Sequence, residues 1–161
     1  MTGNAGRSGV VKVAKSKRKL RRSARPASAA GSGASLASSS AEHSQMLALW
    51  AAQAGLDKKA RDVEIIDVTG KVDYADYLVL MTGQSDRHVA AIAASVDELL
   101  RQHQSPPISI EGLSAANWVL IDLVDVVVHV FLESSRALYD LDGLWMDAGR
   151  LPLPESASGS T

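Results

Sequence analysis

The spacing of hydrophobic positions along this chain changes several times, and each change marks an element. In "SQMLALWAAQAGLDKKA" the helical period places Met46, Leu49, Trp50 and Gln53 on one stripe, with Leu47 and Ala54 beside it. "VEIIDVT" reads as a strand, and "TGKVDYAD" as a turn-rich connection to a second strand, "YLVLMTG", ending at Gly83. Ser85 is a good N-cap for a helix running to about His103, and Asp86 suits the positive end of its dipole. Val89, Ile92, Val96, Leu99 and Leu100 form the buried stripe of that helix. "SPP" ends it, because proline cannot continue a helix and restricts the residue before it. A short strand "ISIEG", two strands within "NWVLIDLVDVVVHVF" and a helical "SSRALYDLDGLW" follow. The expected order is α-β-β-α-β-β-β-α: an α/β chain with one mixed sheet and helices packed on it, in a single domain.

"NWVLIDLVDVVVHVF" is strongly apolar yet holds a tryptophan, two aspartates and a histidine. A two-residue loop at Leu123 and Val124 would pair Asp122 with Asp125 and set Trp118 opposite His129. Alternation then puts Val119, Ile121, Val126, Val128 and Val130 on one aliphatic face. Trp118, Leu120, Val127, His129 and Phe131 fall on the other. Leu123 and Val124 are poor residues for a tight primed turn, and a wider loop of the same parity would keep these faces. The mixed face suits a partner-binding patch, since Trp supplies apolar area while its N–H needs a polar neighbour. It equally suits a second core layer under the C-terminal helix, with His129 a satisfied buried histidine. Both readings stay open at this point.

Charge divides the chain in a way the net value of −1 conceals. Residues 1–41 hold nine of the 17 Lys and Arg and no acid, which leaves eight basic residues against all 18 acids, a balance of −10. A basic tail thus precedes an acidic domain over residues 42–150, and residues 151–161 read as a flexible polar end. The tail is rich in Ser, Ala and Gly, has few large apolar side chains, and reads as disordered. Its cluster of Lys15, Lys17, Arg18, Lys19, Arg21 and Arg22 suits contact with RNA phosphates, which would be salt-sensitive and indifferent to sequence. A solvated tail is the plainer reading. An organelle transit peptide is a third, although the contiguous basic block lacks the amphipathic pattern expected of one. There is no cysteine, which excludes disulfides and thiolate chemistry, and no apolar run approaches the roughly 18–20 residues that span a bilayer.

Catalytic patterns are missing. His43, His88, His103 and His129 show no metal-ligand spacing with one another or with acids, and no H-E-x-x-H, P-loop, G-x-G-x-x-G or G-x-S-x-G occurs. "TGQS", before a helix, is similar to the Gly-Ser start of nucleotidyltransferases, which also need a D-x-D pair on a following strand for metal ions. Here Asp97 and Glu98 fall on the helix, and Asp122 and Asp125 lie three apart at a turn. No enzyme, metal or cofactor is expected.

Taken together, "DVTGKVDYADYLVLMTGQSDRHVAAIA" and "EGLSAANWVLIDLVDVVVHVFLESSRALYDLDGLW" resemble the ribosomal silencing factor family, RsfS, also called Iojap. The resemblance covers about residues 44–150, with "ADYLV", "TG-S-RHV", "EG" then "W", and "D--DVVVHVF" ending at "R-LYDLDGLW" in order. Val124 stands where a common family form has Gly, and the basic N-terminus lies outside the shared pattern. The resemblance implies a nucleotidyltransferase-like fold without catalytic carboxylates. It also implies a repressor that binds the large ribosomal subunit through its fourteenth ribosomal protein and blocks small-subunit joining when nutrients are scarce. It implies large-subunit assembly in organelle members, and homodimers. It assigns ribosomal-protein contact to Trp118; Leu120 and His129 join it only as neighbours on the same face. The expected compartment is the cytoplasm, or an organelle if the tail is a transit peptide. Two other readings remain: a divergent nucleotidyltransferase using "TGQS", and an RNA-binding assembly factor acting through the tail.

Overall fold

The computed structural model describes residues 33–155, so the basic cluster Lys15 to Arg22 lies outside the described residues. Helix α1 (Gly33–Asp57) leads into strands β1 (Arg61–Asp67) and β2 (Tyr77–Gly83), then helix α2 (Asp86–Gln102). Strands β3 (Ser109–Glu111), β4 (Trp118–Asp122) and β5 (Val126–Leu132) follow, then short helices α3 (Glu133–Tyr139) and α4 (Leu141–Leu144) and strand β6 (Gly149–Leu151). One sheet holds all six strands in the order β3-β4-β5-β2-β1-β6. β2 and β5 run parallel, and every other pair is antiparallel.

The mixed α/β reading holds, and the outline departs from it at both ends. Because α1 begins at Gly33, a domain boundary after residue 41 falls inside a helix. At the other end, the expected single helix breaks at Asp140, which adopts the left-handed conformation at φ 48°. Its carboxylate then accepts from the Gly143 N–H at 3.1 Å and starts α4. β6 pairs with β1, setting Ile65 against Leu151 and Asp67 against Gly149, so Leu151 belongs to the sheet.

β2 is buried along its whole length, which two-sided coverage explains. One face, carrying Ile65, Val79, Met81, Val119, Ile121, Val128 and Val130, packs under α1 and α2. The other, carrying Ile66, Leu78, Leu80, Leu120, Val127 and Phe131, is covered by residues including Tyr139, Leu141, Trp145 and Ala148 of the C-terminal segment. α2 matches its expected stripe except that Leu99 is only partly buried and Ala93 joins it. Its Ser85 cap accepts from the His88 N–H at 3.0 Å. α1 is rotated from expectation: Leu47, Ala48, Ala51 and Ala54 are buried, Leu49 and Trp50 are half-buried, and Met46 is exposed. Small residues win that face because the sheet approaches closely. A Cβ on Gly55 would sit 2.5 Å from Met81 Sδ.

The β4–β5 hairpin corrects the expected register by two residues. Trp118 lies opposite Phe131, Leu120 opposite His129, and Asp122 opposite Val127. A shift of two preserves parity, so both faces are as the alternation assigns them. The turn is wider because the Asp125 N–H donates to the Leu123 carbonyl at 3.1 Å around Val124 at φ 79°, a γ-turn of the positive-φ kind. The Asp122 carboxylate accepts from the Val124 N–H at 3.1 Å, and the Asp125 carbonyl accepts from the Asp76 N–H at 2.7 Å. These bonds hold a β-branched residue in a conformation that disfavours it.

Val124→Gly should therefore stabilise the fold. Relief of about 1–3 kcal/mol of backbone strain outweighs about 0.5–1 kcal/mol of added unfolded-state entropy. A net gain of about 1 kcal/mol would raise the melting midpoint by about 4 °C, read by calorimetry. An unchanged or lower midpoint would show that the turn carries no strain.

Candidate interaction site

Trp118 opens β4 and is half-buried, with one side of its ring packed into the second core layer. Its ring centroid lies 5.1 Å from Phe131 on β5 and 4.3 Å from Tyr139 on α3. The indole N–H donates to His129 Nδ1 at 3.0 Å. That nitrogen accepts and so carries no proton in this arrangement. His129 is itself buried, and its ring runs nearly parallel to Phe131 at 5.8 Å. Leu120 is buried as well. Of the three residues expected on a contact face, only Trp118 reaches the surface; Leu120 and His129 form the layer that holds it. The face is thus a core layer, as one of the two readings has it, with Trp118 part-exposed at its edge. Spacing offers this face as a layer under the C-terminal helix, but cannot show that Trp118 alone reaches past the cover.

The covering segment is fixed by a residue that no local pattern in the sequence singles out. Arg136, on α3, is buried with all of its N–H groups directed at acceptors. Nε and Nη2 grip Asp142 of the next helix at 3.0 and 2.7 Å in a bidentate pair. Nη2 also donates to Glu64 at 2.9 Å, and Nη1 donates to the Thr82 hydroxyl at 3.0 Å and to the Asp62 carbonyl. Asp62 sits in a bulge of β1, at φ 49°, where the strand register shifts between Arg61 and Glu64. Glu64 in turn accepts from Arg150 at 2.8 Å, and Arg150 Nη1 donates to the Trp145 and Ala148 carbonyls, both at 2.8 Å. The result is a chain of alternating charge, Asp142–Arg136–Glu64–Arg150, that clamps residues 133–151 onto the sheet. The Arg136 guanidinium, hydrogen-bonded to Asp142, holds that carboxyl below its ordinary value of 3.8. The clue in the sequence was an arginine amid the apolar "RALYDLDGLW"; its partner Glu64 lies 72 residues away.

The groups weighed for chemistry have local duties. The Ser85 hydroxyl caps α2, Asp97 pairs with Arg101 at 2.9 Å, and buried Asp122 holds the hairpin turn. Among the described residues, no three or more His, Asp or Glu side chains gather as a metal site requires.

Fold and site define a mixed α/β domain with a part-exposed aromatic edge beside a charge-clamped helical arch. The family described as "Ribosomal silencing factor during starvation" matches residues 41–160, and the chain belongs to that family. The chain is 42% identical over 98 residues to the ribosomal silencing factor RsfS of Bacillus subtilis, covering 61% of this chain and 83% of that one. It is 33% identical over 91 residues to mouse "Mitochondrial assembly of ribosomal large subunit protein 1", covering 55% of this chain and 40% of that one. A crystal structure from Bacillus halodurans superimposes with a TM-score of 0.60 at 37% identity, covering 68% of this chain and 99% of that one. The family's name is that of a silencing regulator rather than an enzyme.

Arg136→Met should cost about 3 kcal/mol, at the low end for a broken buried ion pair because both carboxylates are one-third exposed and can rehydrate. Acid should act on the same clamp. Asp142 has a lowered folded pKa, so its contribution is present above pH 3.8 and lost as pH falls through the lower folded value. Denaturant melts between pH 5 and pH 2 should show Asp142→Asn with a shallower acid loss than the parent, about pH values chosen to bracket the carboxylate range. Equal slopes would remove Asp142 from the account.

Proposed function

We propose that this chain represses translation by binding the large ribosomal subunit through its fourteenth ribosomal protein and blocking small-subunit joining under nutrient limitation. Family membership supports the ribosomal setting. The observation that carries the binding site is Trp118, part-exposed and immobilised by His129, Phe131 and Tyr139. A large ring fixed before contact loses little entropy on docking, which is what an interface anchor requires. Leu120 and His129 act beneath it, setting its position rather than meeting the partner. Blocking subunit joining needs occupancy and no covalent step. A micromolar to nanomolar complex, about −8 to −12 kcal/mol, suffices when the factor is abundant.

Charge supports the same partner. An acidic domain favours rapid, oriented approach to a basic ribosomal protein. Lys15, Lys17, Arg18, Lys19, Arg21 and Arg22 would reach ribosomal RNA phosphates and add salt-dependent affinity. A role in large-subunit assembly is the second reading, and the mouse relative's name favours it. No helix among the described residues is long and apolar enough to cross a membrane. A cytoplasmic site of action fits the bacterial relative, and an organelle site the mitochondrial one.

Trp118→Ala should weaken co-sedimentation with purified large subunits by about 2–4 kcal/mol, roughly 30-fold or more. Because Trp118 also packs on Phe131, melting must be measured alongside, with binding read well below the midpoint. Full binding by the folded variant would remove Trp118 from the interface. Deleting residues 1–32, which hold all nine basic residues before α1 and leave that helix whole, should weaken binding and flatten its salt dependence. Identical binding at every ionic strength would mean the tail has no electrostatic part in docking.

A further inference from the structure

The C-terminal arch, residues 133–151, presents apolar side chains that its packing does not use. Leu138, Leu144 and Met146 are 64%, 67% and 73% exposed, the three highest values among the large hydrophobic residues described. Single exposed apolar residues are ordinary. Three within nine residues, on a segment held rigidly, offer apolar area that a partner could cover.

Rigidity here has named causes. Arg136 and Asp142 lock α3 to α4. Asp140 caps α4, and Arg150 clasps the carbonyls of Trp145 and Ala148, which flank Met146 and Asp147. Inward, Tyr139, Leu141 and Trp145 pack on the layer that contains Leu120 and Phe131. Leu138, Leu144 and Met146 are left outward. The arch also touches the Trp118 ring directly, through Tyr139 at 4.3 Å.

Charge selects the occupant. Glu133, Asp140, Asp142 and Asp147 are the acids of the arch, and its two cations, Arg136 and Arg150, are both committed to carboxylates. A rim of this sign repels phosphate and attracts a cationic protein surface. We propose that Leu138, Leu144 and Met146 form a second, acid-rimmed contact for the basic protein partner, continuous with the Trp118 edge. The proposal deepens the ribosomal reading and rests on it. It makes the docking surface a composite, an aromatic anchor on the sheet beside an aliphatic contact on the arch.

The test uses the full chain with Leu144→Glu, Met146→Glu and the double variant Leu144→Ala/Met146→Ala, beside Trp118→Ala. Purified large subunits, ribosomal RNA stripped of protein, and the chain alone in sedimentation velocity are the three probes. Because Leu144 and Met146 are exposed, circular dichroism and the melting midpoint should match the parent. Affinity for large subunits should fall at least about tenfold in each glutamate variant, as expected when a charge replaces an apolar contact at an interface. Binding to stripped RNA should be unchanged. Parent-like affinity in all three arch variants, while Trp118→Ala loses binding, would overturn this inference and leave the ribosomal reading standing. Failure of the parent chain to bind large subunits would overturn both. Loss of RNA binding in the arch variants would make the occupant RNA, and conversion of a parent dimer to monomer would make it a second copy; either result contradicts the proposal.

Discussion

Two central strands buried on both faces set the terms for everything else in this molecule. β2 and β5 pair in parallel at the middle of the sheet, and a polar side chain on either must find a partner inside the protein. Two such residues, Thr82 and His129, hold the two parts of the proposed interaction site. The Thr82 hydroxyl accepts from Arg136, which anchors the arch. His129 Nδ1 accepts from the Trp118 indole, which fixes the anchor ring. Meeting the polar needs of the core thus also fixes the Trp118 ring and the arch in place.

This arrangement favours function by contact. An aromatic ring and an aliphatic arch held in place before docking leave less disorder to be lost when a partner arrives. The clamp Asp142–Arg136–Glu64–Arg150 spans residues far apart in sequence, so the surface forms only once β1, β2 and the C-terminal segment have come together. Such a site is either complete or absent. For a factor whose proposed action is to occupy a surface, that is the relevant property.

Much of the fold was legible because alternation and helical period respond to burial, which dominates it. The faces of β4 and β5 were correct even though their register was not, since a slip of two residues preserves parity. The register itself was hidden because Val124 adopts a positive φ that its β-branched side chain opposes, against local preference. On α1 the largest apolar side chains pointed to the wrong stripe, because close approach to Met81 selects alanines and Gly55 instead. α4 and β6 are short segments with too few residues to show a period. Trp118 was legible as a polar-tipped aromatic on an apolar strand. Arg136 was not, since its partners come from β1, β2 and α4, and no local pattern joins them. The basic residues Lys15 to Arg22 lie outside the described residues, so their proposed contact with RNA rests on charge alone.

In the proposed mechanism, occupancy of the large subunit is sufficient to silence it. The most direct measurement is light scattering of small and large subunits mixed after the large subunits have been saturated with the full chain, with Trp118→Ala at the same concentration as comparison. The parent chain should suppress subunit joining in proportion to the fraction of large subunits occupied, and the folded variant should leave joining at its uninhibited level. Normal joining by large subunits shown to carry the parent chain would contradict the proposed mechanism.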